Sequence, residues 1–206
     1  MHSGQPIVRR GPVIAQARIA VILVHGRGDS ADGILTLADE FDLPDVTWIA
    51  PQAAGNTWYP YSFLAPMERN EPGLSSALRL LGDLVETLAD EGKSHERIVL
   101  MGFSQGACLS QEFAARNATR YHAIVGLSGG LIGPPGTPRT YQGSFERTPV
   151  FLGCSDVDPH IPVARVHESA EVFRRMGAGV DERIYPRMGH TVNADEIAAV
   201  RALLLG

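Results

Sequence analysis

A short apolar run, Ile98 to Met101, meets Gly102-Phe103-Ser104-Gln105-Gly106 and then a helix-like segment reaching Arg116. This strand, tight turn and helix constrain the chain more than any other stretch. Glycine on each side of a serine is the G-x-S-x-G nucleophile-elbow pattern. Lacking a Cβ, the two glycines let the flanking backbones pass close to one another. The serine is thereby raised to the tip of a sheet, where the N–H groups at the start of the next helix face it. With 22 glycines in 206 residues, an isolated match arises by chance in roughly one such chain in ten. The weight of the motif therefore rests on the strand before it and the helix after it.

The rest of the chain repeats that alternation. Continuous apolar runs at Ile19–Val24, Val46–Ala50, His122–Leu127 and Pro149–Leu152 read as strands buried on both faces. Asp181–Tyr185 alternates and reads as the last strand, while Ile7-Val8 forms a short edge strand interrupted by Arg9, Arg10, Gly11 and Pro12. Apolar residues at three- and four-residue spacing predict helices over Ile34–Phe41, Leu74–Leu88, Val166–Met176 and Asp195–Leu204. Two stretches, 52–72 and 131–148, read as loops, the first carrying Trp58, Tyr59, Tyr61 and Phe63. The pattern is that of a single α/β domain over 1–206, with a mainly parallel sheet and helices on both faces. In such a sheet, ligands sit at the carboxyl ends of the strands.

Composition removes other classes. A net charge of −5 leaves no basic excess for nucleic acid. No apolar run reaches the roughly 18 residues of a membrane span, so stable membrane insertion is not expected. Met1 to Gln5 lacks the layout of a secretory signal, and a cytoplasmic location is expected. Cys108 and Cys154 read as reduced core thiols. No metal-ligand spacing and no glycine-rich phosphate cradle is present, so neither a metal nor a cofactor is expected.

A serine hydroxyl needs a general base within hydrogen-bond reach. In this topology the base follows the last strand and its orienting acid follows an earlier one, giving the chain order serine, acid, histidine. His190, just after the last strand, fits the base. Asp156 and Asp158 share the turn after Pro149–Leu152, and the Pro159-His160-Ile161-Pro162 that follows favours Asp158 as the inward carboxylate. The tetrahedral intermediate of acyl transfer needs N–H donors. Those expected are the backbone N–H groups of Gln105 and of Arg27 in the His25-Gly26-Arg27-Gly28 turn. His25 reads as a structural support of that turn, and Phe103 and Cys108 as packing.

With these residues in place, the chain resembles the phospholipase/carboxylesterase family of α/β-hydrolases, which includes the acyl-protein thioesterases. The matching motifs are His25-Gly26-Arg27-Gly28-Asp29, Gly102-Phe103-Ser104-Gln105-Gly106-Ala107, Asp158-Pro159-His160-Ile161-Pro162 and Gly189-His190, from about Val21 to the C-terminus. The resemblance implies a compact hydrolase without a large cap, with Ser104 as nucleophile, Asp158 as acid, His190 as base, and Arg27 and Gln105 at the oxyanion hole. It implies a small-molecule ester or thioester substrate. Two features depart from the family: Cys154 stands where glycine is frequent, and Ala50 to Phe63 is closer to a bacterial carboxylesterase branch. Trp58, Tyr59, Tyr61, Phe63 and Leu64 are candidates for the substrate wall, or for a homodimer interface instead. The expected activity is a serine carboxylesterase for small to medium esters. The alternatives are an acyl thioesterase or lysophospholipase, and a ligand-binding protein that has lost turnover.

Overall fold

A computed structural model describes residues 1–206. Seven strands form one sheet: β1 Ile7–Arg10, β2 Ile19–Val24, β3 Val46–Pro51, β4 Ile98–Phe103, β5 Ala123–Leu127, β6 Pro149–Ser155 and β7 Gly179–Tyr185. Their spatial order is β1-β3-β2-β4-β5-β6-β7. Only β1 runs antiparallel to its neighbour, pairing Ile7 with Pro51 and Arg10 with Trp48. The other pairs are parallel. The expected break at Arg9 does not occur, because an edge strand can carry charged side chains where one side of the ladder is open. Arg9 instead pairs with Glu91 at 3.0 Å.

Five helices cover the sheet: α1 Ala31–Asp39, α2 Gly73–Asp90, α3 Gln105–Arg116, α4 Val163–Arg175 and α5 Ala194–Leu205. Side chains alternate across each buried strand. On β2, Ala20, Ile22 and Val24 face the layer that also holds Leu81 of α2, Phe113 of α3 and Phe173 of α4. Ile19, Val21 and Leu23 face the layer built with Leu35 of α1 and Val200 of α5. Helix α3 lies over the sheet centre, and every residue of it except Arg116 is buried. Helix α1 starts earlier than its apolar spacing suggests, because Ser30 caps it by accepting from Gly33 N–H at 3.0 Å. No helix is long and apolar enough to cross a membrane.

Both expected loops lack long regular elements. Residues 52–72 hold only two short 3₁₀ turns, Ala54–Asn56 and Met67–Asn70, and no helix or strand of the sheet occupies 131–148. The parallel strands β2, β4 and β6, and β7 beside them, end on one edge of the sheet. The turns that follow, from His25, Ser104, Asp156 and Pro186, share that edge.

Candidate active site

The turn between β4 and α3 is as tight as its glycines suggest. A Cβ on Gly102 would lie 2.4 Å from the Gly106 backbone, and one on Gly106 only 2.1 Å from Val24 O. Ser104 takes φ 55°, ψ −119°, a conformation that costs a non-glycine residue on the order of 1–3 kcal/mol. Burial of both flanking elements holds it there, and its Oγ is presented above the sheet edge.

Two bonds link Ser104 to the turns after β6 and β7. His190 Nε2 lies 2.8 Å from Ser104 Oγ, and His190 Nδ1 lies 2.7 Å from Asp158 Oδ2. The carboxylate of Asp158 is fully withdrawn from solvent. Its Oδ1 accepts from His160 N–H at 2.8 Å and Ile161 N–H at 3.0 Å. Burial by itself would raise the Asp158 pKa; the His190 ring and the two backbone N–H groups outweigh it, and the carboxyl is held below its ordinary value. Asp156 is exposed and accepts from Arg187 N–H at 2.7 Å. The structure thus brings Ser104, His190 and Asp158 together and leaves Asp156 outside.

The turn after β2 lies against the elbow. His25 is fully buried and holds this turn: Nδ1 is 2.7 Å from Gly26 O, and Ala53 N–H donates to Nε2 at 3.1 Å. Burial lowers its pKa, which suits a neutral ring with one donor and one acceptor nitrogen. Arg27 N–H has no acceptor within the protein, whereas the next amide, Gly28 N–H, bonds Asn56 O at 2.7 Å. Gln105 opens α3, so its N–H has no intrahelical partner.

A cleft of about 590 Å³ opens beside Ser104. Of the five wall candidates, Tyr59, Tyr61 and Phe63 line it, and Trp58 and Leu64 do not. Trp58 is fully buried behind the wall; its Nε1–H donates to His25 O at 2.9 Å and its ring packs on His25 and His2. Leu64 packs on the core side. Cys108 is buried in the core on one face of the sheet, Phe103 packs against the core on the other face, and both also border the cleft. Phe103 also packs against the His190 ring at 4.9 Å, and His160 meets that ring edge-on at 4.8 Å. Neither contact could be found from the elbow pattern, which specifies glycines and serine but not what packs on the His190 ring. Cys108 and Cys154 are unpaired, and burial pushes both thiols up to about 12. No three His, Cys, Asp or Glu side chains are grouped so as to hold a metal ion.

This geometry has relatives. The family model described as phospholipase/carboxylesterase matches residues 12–204. A crystal structure of a phospholipase/carboxylesterase from Dyadobacter fermentans superposes with a TM-score of 0.94 at 42% identity, over 98% of this chain and 97% of that one. Acyl-protein thioesterase 1 of Gibberella zeae is 28% identical over 99% of this chain and 97% of its own length. Carboxylesterase from Bacillus cereus shares the fold, with a TM-score of 0.78 at 18% identity over 98% of this chain and 94% of that one. A seven-stranded, mainly parallel sheet with helices on both faces and a serine elbow at its centre is the α/β-hydrolase fold, and the chain belongs to the phospholipase/carboxylesterase family.

Proposed function

We propose that the protein is a serine hydrolase that cleaves small to medium carboxylic esters through an acyl-enzyme. The observation that carries this reading is the unbroken relay Ser104–His190–Asp158, with bonds of 2.8 and 2.7 Å, at the wall of a cleft. Ser104 Oγ attacks the ester carbonyl carbon as His190 Nε2 takes its proton. Asp158 keeps the ring in the tautomer with Nδ1–H and stabilises the imidazolium. The oxyanion accepts from the N–H groups of Arg27 and Gln105. The imidazolium then returns the proton to the leaving alcohol oxygen. Water, activated by His190, attacks the acyl-enzyme and regenerates Ser104 with release of the acid.

The cleft suits an acyl group of modest size, because Tyr59, Phe63 and Ile161 are among its apolar lining and it falls in the usual size range for small-molecule sites. Hydrolysis of acyl p-nitrophenyl esters by wild type and Ser104→Ala tests the assignment. A drop of about 10⁴-fold or more is expected, since removing one triad member disables the group as a unit. Turnover by Ser104→Ala equal to wild type would remove Ser104 from the mechanism. Thioester cleavage is the second reading, favoured by similarity over 99% of the chain to a fungal acyl-protein thioesterase 1. The same residues perform both reactions, so matched oxygen and thiol esters of one acid separate them by kcat/KM. Tight ligand binding without any product burst would point instead to a binding protein.

A further inference from the structure

The side chains of the two residues with the oxyanion-facing N–H groups both turn onto one segment of the cleft wall. The Arg27 guanidinium donates to Thr57 Oγ1 at 2.9 Å and to Pro60 O at 3.0 Å through Nη1, and to Tyr59 O at 3.0 Å and Tyr61 O at 2.7 Å through Nη2. Gln105 Oε1 accepts from Trp58 N–H at 2.9 Å, and its Nε2 donates to Tyr59 O at 2.8 Å. Tyr59 O is therefore shared by both side chains. Residues 57–61 belong to no helix or strand, so these carbonyls have no ladder to satisfy them. Tyr59 is buried, and a buried backbone carbonyl needs a partner. Arg27 and Gln105 supply two for Tyr59 O, beside Thr57 Oγ1 at 3.2 Å, while Pro60 O and Tyr61 O are bonded by Arg27 at the exposed side.

We infer that the Arg27 and Gln105 side chains are positioning groups that tie the aromatic wall of the cleft to the oxyanion-donating backbone of the same two residues. The inference rests on the acyl-transfer reading above and goes beyond it. The guanidinium is planar and offers five N–H donors in a fixed fork, so four bonds to one segment set its orientation and, through its stem, the turn that carries Arg27 N–H. Gln105 does the same from the start of α3. Wall and donors then move as one body. An acyl group seated on Tyr59 and Tyr61 presses on the segment that holds the donors, and its binding energy is expressed in the transition state and not only in KM. Donors must lie about 2.7–3.1 Å from the developing oxyanion, and a displacement of about 1 Å costs as much as 10²-fold in rate.

An acyl series separates this coupling from simple wall-building. An acetyl group is too short to use the aromatic wall, whereas a hexanoyl group needs it. In Arg27→Met, which keeps the stem and removes the donors, kcat for p-nitrophenyl acetate is expected to fall about 10- to 100-fold. A larger fall in kcat is expected for the hexanoate, whose binding to the wall no longer reaches the donors, with KM changed by less than about threefold. Arg27→Lys should be intermediate, and millimolar guanidinium should restore part of kcat in Arg27→Ala. Gln105→Leu should repeat the pattern independently. Thermal midpoints of all four variants, with rescue by guanidinium, separate coupling from loss of fold. The proposal is overturned if acetate kcat stays within about twofold of wild type while hexanoate KM rises, or if guanidinium restores nothing in a folded Arg27→Ala. Failure of the acyl-transfer reading is seen elsewhere, as undiminished turnover by Ser104→Ala.

Discussion

Asp156 and Asp158 stand two residues apart in one turn, yet only the second has its carboxylate withdrawn from water. The difference is one of partners: Asp158 accepts from His190, His160 and Ile161, whereas Asp156 accepts from Arg187 N–H. Asp158→Asn would place an amide against His190 and favour the wrong tautomer, so kcat is expected to fall about 10⁴-fold with the fold retained. Asp156→Asn should change kcat less than about threefold, as is usual for a surface site. Measured kcat values in the reverse order would reassign the acid. Cys154 stands beside this carboxylate, with Sγ 3.8 Å from Asp158 Oδ2. Burial, and then the Asp158 charge, push its thiol up to about 12. It therefore stays protonated, a weak S–H donor to an oxygen already bonded to His190.

Among elements, α3 has a second task at the end far from Ser104. Its Glu112 is buried and gathers the loop after β5: Oε1 accepts from Arg116 Nε at 2.7 Å, and Oε2 accepts from Ile132 N–H and Tyr141 O–H, each at 3.0 Å. Arg139, also nearly buried, approaches Oε2 at 4.0 Å and bonds Glu168 at 2.9 Å. A loop this long keeps its course only if buried side chains answer its backbone groups. Removing one member of such a cluster leaves the others uncompensated. Glu112→Ala is expected to cost about 3 kcal/mol, read as a lower urea midpoint at unchanged m-value. A loss below about 1 kcal/mol would mean that the loop is held by other contacts. The loop at 52–72 is held likewise by side chains, with Asn70 Oδ1 accepting from Tyr61 N–H at 2.9 Å and Ala54 N–H donating to His2 Nδ1 at 3.1 Å. Neither partner could be inferred from the loop itself, because each comes from a residue without periodic or motif context.

Across the whole molecule, stability should depend on pH in two opposing senses. Burial lowers the pKa of His2, His25 and His122. Their neutral forms favour the folded state above the ordinary value of about 6.5, and that contribution is lost as pH falls through the lowered values. Glu196 acts the other way. It is fully buried at the start of α5, where Oε2 accepts from Asn193 N–H at 2.9 Å and Oε1 has no partner in the protein. Burial raises its pKa to about 7. The folded state holds that proton where the unfolded chain releases it, so its contribution is full below about 4.5 and is lost as pH rises through 7. Glu196→Gln keeps the cap acceptor and removes the titration. Its thermal midpoint relative to wild type should climb between about pH 4.5 and pH 7 and level off above. A difference that is flat with pH would show that Glu196 does not hold the proton.

The strands, their parallel arrangement and the elbow follow from local pattern, and the meeting of Ser104, Asp158 and His190 follows from where their turns fall in that topology. Burial on both faces writes continuous apolar runs, and a turn too tight for a Cβ writes glycine at 102 and 106. Tertiary structure alone decided which aromatics face the cleft: Tyr59, Tyr61 and Phe63 do, while their neighbour Trp58 is turned inward to His25. It also decided that Arg27 and Gln105 spend their side chains on residues 57–61, and that Phe103 and His160 flank the His190 ring. These contacts join residues 30 to 90 positions apart, with at least one partner of each in irregular backbone. No periodicity marks such contacts, because an irregular loop takes its course from the side chains that satisfy it and not from any repeat of its own.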